Sequence, residues 1–466
     1  MFRFFLFGGM LDAIRRYVAL WLDMWGSPCI VAPRTMAGST FQALPGFRDF
    51  TPRECAVRNY LFETWRAVAR RCGYVEYETP ILEDTGLYLK KSGGELSSQL
   101  FRFEDQGGRD VTLRPEVTAS LARIAAAEQR QYPKPLKWFE IGQCFRYEKP
   151  QKGRGREFHQ FNVDVLGEAG TGADAELIAL AIETMLSFGF VAGDFVVRVS
   201  DRNAWLKFAE NKGVAEDKVS DFLGLVDKLE REKPEVLTAK LAAFGMTLEE
   251  VKEFVANPAN ASAAYEEIRA DLSARGFGDF VELDLSIVRG LAYYTGVVFE
   301  VFDSKKSMRA VAGGGRYDTL VKTISNGAVD MPATGFAMGD YVIRNLIEET
   351  THAAMQMEVW LQRNAAGCEV YMVVPDSSRR GDALKLVTDL RRAGVSVDLP
   401  LSEAKVAKQF QAAEKCGARF AVIIGEEFPQ VKIKILSSRA EEECDAASLV
   451  DWIKQRLTEP DGPLLA

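Results

Sequence analysis

The segment Arg146–Asp164, RYEKPQKGRGREFHQFNVD, concentrates the side chains best suited to chemistry. Five of its first eleven residues are cationic (Arg146, Lys149, Lys152, Arg154, Arg156), in a chain whose formal net charge is −8. A strand sends alternate side chains to opposite faces. Phe158, Gln160, Asn162 and Asp164 therefore share one face, and His159, Phe161 and Val163 the other. Arg146 and Glu148 share a face of the preceding strand. A ring, an amide, a carboxylate and a guanidinium then converge on one floor of a sheet. Such a floor can stack a planar base, grip a phosphate and hydrogen-bond a small polar substrate. The competing reading is a solvated hairpin tip whose lysines and arginines only stay wet.

Other chemistries have few candidates. With two histidines in 466 residues, Ser-His or Cys-His nucleophile pairs have almost no members. His159, opposite Gln160, reads as a packed structural imidazole rather than a general base. The seven cysteines form no CxxC pair, which suits structural thiols in a reducing, cytoplasmic setting and no protein-held metal site. Neither GxxxxGK[ST] nor a GxGxxG after a strand occurs. AGGGRYD (Ala312–Asp318) serves either a tight turn or close approach of backbone to a ligand. SIVRGLAYYTG sets Arg289 beside a glycine and two tyrosines, Tyr293 and Tyr294. Glu116, in LRPEVT, opens a helix, where a carboxylate also complements the dipole.

The elements that must position these groups are legible in outline. TPRECAVRNYLFETWRAVARRCG begins with Thr51 as N-cap, Pro52 at N1 and Glu54 at N3, the pattern of a capping box. Val57, Leu61, Trp65, Val68 and Cys72 follow at helical spacing, and Gly73 ends the helix. YVEYETPILED reads as one strand, and DVTLRPEVTASLARIAAAEQ as strand, turn and helix. LKWFEIGQCFRYEKP and GREFHQFNVDVLG form a long hairpin. Residues of about 205–275 read as an inserted helical module. After a connecting helix or linker, CEVYMVVPD through VKIKILS alternates strand and helix, the pattern of a parallel α/β domain. The aromatic N-terminus is interrupted by Asp12, Arg15, Arg16 and Asp23 before it reaches a spanning length. Residues 1–35 are expected to be an appendage, with the ordered protein starting at Met36.

LRPEVTA, FRYEKPQKGRGREFHQFNVDVLG, VRGLAYYTG, AGGGRYD and GFAMG occur in the order found in histidyl-tRNA synthetases. From about Gln42 to the C-terminal domain the chain resembles that class II aminoacyl-tRNA synthetase family. The resemblance implies an α+β catalytic domain on an antiparallel sheet with a helical insertion, plus a C-terminal α/β anticodon-binding domain. The implied boundaries are an extension at 1–41, a core at 42–348, a linker at 349–366 and the last domain at 367–466. The implied activity is ATP-dependent activation of L-histidine and its transfer to tRNA(His), by a cytoplasmic homodimer without membrane contact. Mg²⁺ would arrive with ATP.

By the same resemblance, Arg146 and Arg289 are catalytic cations. Glu116, Thr118, Arg146, Gln160, Asp164, Arg289, Tyr293 and Tyr294 bind histidine, with Asp164 and Tyr294 reading the imidazole. Arg146, Glu148, Arg154 and Phe158 bind ATP, with Phe158 stacked on adenine and Arg154 at the γ-phosphate. Two positions depart from the family pattern. Val342 stands where an ATP-holding arginine is usual, and Arg344 lies roughly 200° around a helix from it. Ala292 stands where many relatives carry an acid. The rival implied function is the synthetase-like regulatory subunit of ATP phosphoribosyltransferase, which binds histidine without charging tRNA. A tRNA-binding or stress-sensing module is a second rival.

Overall fold

The computed structural model describes residues 41–90, 97–151, 153–229, 232–289, 293–305 and 307–458. The expectations for residues 1–40, Lys152 and Ala292 lie outside the described residues.

The helix after Thr51 runs Pro52–Arg71 and buries Ala56, Val57, Tyr60, Leu61, Trp65, Val68 and Ala69 along one stripe, as apolar spacing of three and four requires. Gly73 follows it at φ +78°, a left-handed turn that a glycine adopts without a Cβ clash. The expected capping box does not form: Thr51 makes no side-chain cap bond. Glu54 instead receives Arg344 Nη1 at 2.5 Å and Nη2 at 3.3 Å. That charge-assisted pair of bonds outcompetes the single bond the Glu54 carboxylate would accept from the Thr51 backbone N–H.

The stretch expected to be one strand is two. β1 (Val75–Glu76) pairs parallel with β5 (Leu136–Phe145), whereas β2 (Leu82–Asp84) joins β4 (Asp110–Leu113) and β3 (Phe101–Glu104) in a separate sheet. The break falls at Thr79–Pro80. Pro80 has no N–H to give a ladder, and the Thr79 carbonyl is taken by Arg114 Nη1 at 2.9 Å.

β6 (Glu157–Leu166) returns along β5 over the full ten-residue register, Leu136 opposite Leu166 and Phe145 opposite Glu157. With β7 (Phe195–Asp201), β8 (Val281–Leu283), β9 (Val297–Asp303), β10 (Ala312–Arg316) and β11 (Ala333–Gly339), an eight-stranded sheet forms in the order β1-β5-β6-β11-β10-β9-β7-β8. It is antiparallel except where β1 meets β5 and β7 meets β8. On one face Trp65 stacks on Phe161, ring centroids 5.5 Å apart, and Val163 and Val165 join the same core. Alternation then turns Phe158, Gln160 and Asp164 to the opposite face.

Between β7 and β8 the chain runs through helices at Arg202–Asn211, Val219–Val226, Pro234–Ala242, Leu248–Ala256 and Ala263–Ala274, most of them packed around Trp205, Phe222 and Val251. After the helix Thr351–Asn364, β12 (Val370–Val373), β13 (Val397–Asp398), β14 (Phe420–Ile423), β15 (Gln430–Ile435) and β16 (Glu441–Asp445) form a sheet in the order β13-β12-β14-β15-β16. The expected all-parallel pattern holds across β13, β12 and β14 but not beyond: β15 and β16 are antiparallel. Their links, residues 424–429 and 436–440, are too short for the crossover of a dozen or more residues that parallel pairing needs.

Candidate functional site

The floor of the site is the inner face of β6. Phe158, at its start, lies under the Arg146 guanidinium, whose Cζ is 5.3 Å from the ring centroid. Arg146 Nε donates to the Pro115 carbonyl at 2.9 Å, which ties the end of the hairpin's first arm to the RPE segment. That segment is held from behind by Arg114. Its guanidinium is 3 % exposed and pairs with Glu140 at 2.5 Å, while also donating to the carbonyls of Gln143 and Thr79. Such a buried, multiply bonded arginine is scaffolding, and the segment it anchors carries Glu116 into the interior, 4 % exposed. Thr118 is the first residue of the helix Thr118–Glu128. Gln160, midway along the floor, accepts a Cys144 S–H bond at 3.5 Å.

Asp164 closes the far end of the floor. It is 3 % exposed, faces Trp138 and Gly335 across the ladder, and accepts the Tyr317 hydroxyl at 2.5 Å. Gly335 is required there, because a Cβ on it would stand 1.8 Å from Asp164 Oδ1. Burial, together with the Asp164 charge, pushes the Tyr317 phenol well above its ordinary value, so it remains a donor. Tyr293 packs edge-on against Tyr317 (5.9 Å) and tilts against Tyr294 (4.7 Å). Burial raises both of these phenols as well.

Arg289 enters from above this aromatic group. Its Cζ is 5.6 Å from the Tyr294 ring, and Nη1 pairs with Glu300 at 2.9 Å. Its Nε is buried and has no hydrogen-bond partner among the described residues. The structure thus gathers Phe158, Arg146, Glu116, Asp164, Tyr293, Tyr294 and Arg289 around one face. Tyr317, inside the glycine motif AGGGRYD, joins them. The signal was present in AGGGRYD, but nothing local shows that its tyrosine reaches a carboxylate.

The same motif corrects another expectation. Ala312–Arg316 is a buried strand, not a tight turn, and protein groups pack closely on it. A Cβ on Gly313 would lie 1.5 Å from Arg289 Nη1, and one on Gly314 would lie 2.3 Å from the Gly335 carbonyl oxygen.

The hairpin tip divides. Arg154 pairs with Glu148, and Lys149 is exposed. Arg156 is no wet tip: its backbone N–H bonds the Gly46 carbonyl, its Nε bonds the Glu148 carbonyl at 3.1 Å, and its Cζ lies 4.1 Å from the Tyr147 ring. His159 is structural, as its face suggested. Its ring packs against Phe50 and Phe62, and its backbone N–H donates to Asp340 at 3.1 Å. Arg48 also binds Asp340, at 2.7 Å. Burial alone would raise that carboxyl, but the His159 and Arg48 donors outweigh it and hold it low. Arg344 does not turn toward the hairpin to replace the arginine absent at Val342. It is spent on Glu54 and Glu348. Val342 itself stands beside Gly153 of the hairpin tip, 3.8 Å from where a Cβ there would be.

An antiparallel sheet whose open face holds two arginines and a buried carboxylate, followed by a separate five-stranded domain, is the architecture of a class II aminoacyl-tRNA synthetase. A family model of histidyl-tRNA synthetase matches residues 46–339, and an anticodon binding domain model matches residues 369–456. The chain is 40 % identical over 427 residues to a histidine–tRNA ligase of Opitutus terrae, covering 86 % of this chain and 95 % of that one. It is 34 % identical to one of Pyrococcus horikoshii, over 89 % and 99 %. The chain belongs to the histidyl-tRNA synthetase family. In fold it is similar to a histidyl-tRNA synthetase from Nostoc (TM-score 0.71, 24 % identity, 90 % and 100 % covered). A protein from Bacillus halodurans described as an ATP phosphoribosyltransferase regulatory subunit/histidyl-tRNA synthetase has TM-score 0.63 at 21 % identity, with 80 % and 96 % covered.

Proposed function

We propose that the chain is a histidine–tRNA ligase that activates L-histidine with ATP and passes it to tRNA(His). The observation that carries the site assignment is the buried Asp164 carboxylate, held by Tyr317, on the same floor that begins with Phe158 under Arg146. The floor has an acceptor for an imidazole N–H at one end and a ring with a guanidinium at the other. Attack of the histidine carboxylate on the α-phosphorus joins those two oxygen and phosphorus atoms and expels pyrophosphate. Negative charge builds on the α-phosphoryl oxygens, which Arg146 and Arg289 stabilise. No side-chain nucleophile is needed, since positioning and fixed charge do the work.

Asp164 and Tyr294 read the imidazole, and an analogue lacking its donors leaves a buried carboxylate one hydrogen bond short. Glu116, Thr118 and Gln160 receive the α-amino group, with Tyr293 lining the pocket. Phe158 stacks on adenine, and Arg154, released from Glu148, reaches the γ-phosphate. Mg²⁺ fits as an ion carried in by ATP, because it keeps water and phosphate oxygens and needs only one or two carboxylates. Glu148, beside Arg154, is the hairpin carboxylate available to it.

The rival regulatory-subunit reading shares the fold, so fold does not discriminate. The β12–β16 domain supports the ligase, since a histidine sensor has no use for an anticodon-binding module. We place the catalytic core at 42–348, the linker at 349–366 and the anticodon-binding domain from 367, working in the cytoplasm. Among the described residues no helix is long and apolar enough to cross a membrane. A homodimer is supported by exposed apolar residues on two sheets: Val75 on edge strand β1, and Leu82 and Phe103 on β2 and β3, the two edges of the separate three-stranded sheet. The deciding experiment is histidine-dependent ATP–pyrophosphate exchange followed by tRNA charging. Exchange at background level with folded, histidine-binding protein eliminates the ligase.

A further inference from the structure

Arg289 is held in a way that its own sequence neighbours do not explain. Its backbone is left-handed, φ +52°, a conformation uncommon outside glycine. Such a conformation persists where the surroundings over-determine it. Arg202 supplies part of that determination. Its Nη1 donates to the carbonyls of both Val288 and Arg289, at 3.2 and 3.4 Å. The turned backbone lays the guanidinium across β9 and β10. There Glu300 and Gly313 are direct cross-strand partners. Glu300 Oε1 receives Nη1 at 2.9 Å. Gly313 supplies the space, since a Cβ on it would fall 1.5 Å from Nη1 and 2.6 Å from Cζ. One strand offers the anchor and the next offers the slot.

We propose that Glu300 and Gly313 are positioning residues for amino-acid activation: together they form the seat that aims the Arg289 guanidinium at the α-phosphate. This rests on the reading of Arg289 as a catalytic cation. A guanidinium has five N–H donors, so anchoring Nη1 on Glu300 leaves donors for phosphate oxygens. The chemical gain is preorganisation. A cation already fixed where charge develops needs no reorganisation during reaction, and a small misplacement of a positioned group can cost on the order of 10²-fold in rate. The two residues act by different physics, charge at 300 and sterics at 313, which makes the idea separable from a general loss of stability.

The test is pyrophosphate exchange by the full chain carrying E300Q, E300D or G313A, each alone and combined with R289A. R289A is expected to lower kcat by roughly 10²–10³-fold, the scale of one lost transition-state donor. G313A should approach that loss, and E300Q should lower kcat by about tenfold, with E300D recovering part of it. The KM for histidine should stay within about threefold throughout, and active-site titration of each variant separates this from a loss of folded protein, which lowers apparent kcat at the same KM. In the R289A background neither G313A nor E300Q should slow kcat further by more than about twofold, because residues acting through one group are not additive. Full-size losses persisting without Arg289, or seat variants with wild-type kcat beside a slow R289A, overturn the proposal alone. Wild-type kcat in R289A overturns the catalytic reading of Arg289 and the seat with it. Should G313A fail to fold, the E300Q and E300D pair decides.

Discussion

Replacing Tyr317 with phenylalanine removes one oxygen and with it the 2.5 Å bond to Asp164. Tyr317 is 2 % exposed and Asp164 3 %, so water cannot readily take the place of the lost donor. A hydrogen bond to a charged acceptor is worth about 1.5–3 kcal/mol, and the ring volume is nearly unchanged. Most of that loss falls on the free and the histidine-bound protein alike and so appears as stability. A carboxylate has about four acceptor sites. Tyr317 therefore does not compete with an imidazole N–H; it sets the angle at which the carboxylate meets one. Losing that constraint should cost histidine binding about one further factor of ten, ~1.4 kcal/mol. The expected result is a lower denaturation midpoint and a histidine KM raised about tenfold in pyrophosphate exchange, with ATP KM unchanged. Asp164→Asn should raise histidine KM further, and adding Tyr317→Phe to it should then change little. A Tyr317→Phe enzyme with wild-type histidine KM would show that Tyr317 does not orient Asp164 for histidine, and a wild-type KM in Asp164→Asn that Asp164 does not read the imidazole.

Arg344→Ala should leave ATP KM within about twofold, because its guanidinium is committed to Glu54 and Glu348; a tenfold rise would mean it does replace the arginine absent at Val342. The Arg344 bond holds Glu54 below the ordinary carboxylate value. Its stabilisation is therefore present above the unfolded value of about 4.3 and fades as pH falls through the lower folded value. Glu54 is partly exposed, so Glu54→Gln should cost only about 0.5 kcal/mol at pH 7 and less in acid; an equal gap in denaturant titrations at both pH values contradicts this. Arg114→Met strands Glu140, which burial already pushes upward despite Arg114, and should destabilise by about 3–5 kcal/mol. Pairing it with Glu140→Gln should restore part of that loss, and no recovery would rule out the buried charge as the cause.

Period-two alternation along β6 was enough to put Phe158, Gln160 and Asp164 on one face and to read His159 as structural. Period-3.6 spacing likewise picked out the buried stripe of the helix after Thr51. Both follow from backbone geometry, which acts over neighbouring residues whatever the rest of the chain does. The errors have a different origin. Thr51 and Glu54 have the local pattern of a capping box, yet Glu54 is claimed by an arginine 290 positions away. Three glycines look like a turn until β10 is seen between β9 and β11, where Gly313 makes room for Arg289 and Gly314 for the Gly335 carbonyl. Tyr317 and Asp164 are 153 residues apart, and only the β6–β11–β10 strand order makes them partners. The sequence by itself determined which side chains face together along each element. The tertiary structure decided which elements meet, because strand register and sheet order are properties of the whole packed core rather than of any local stretch.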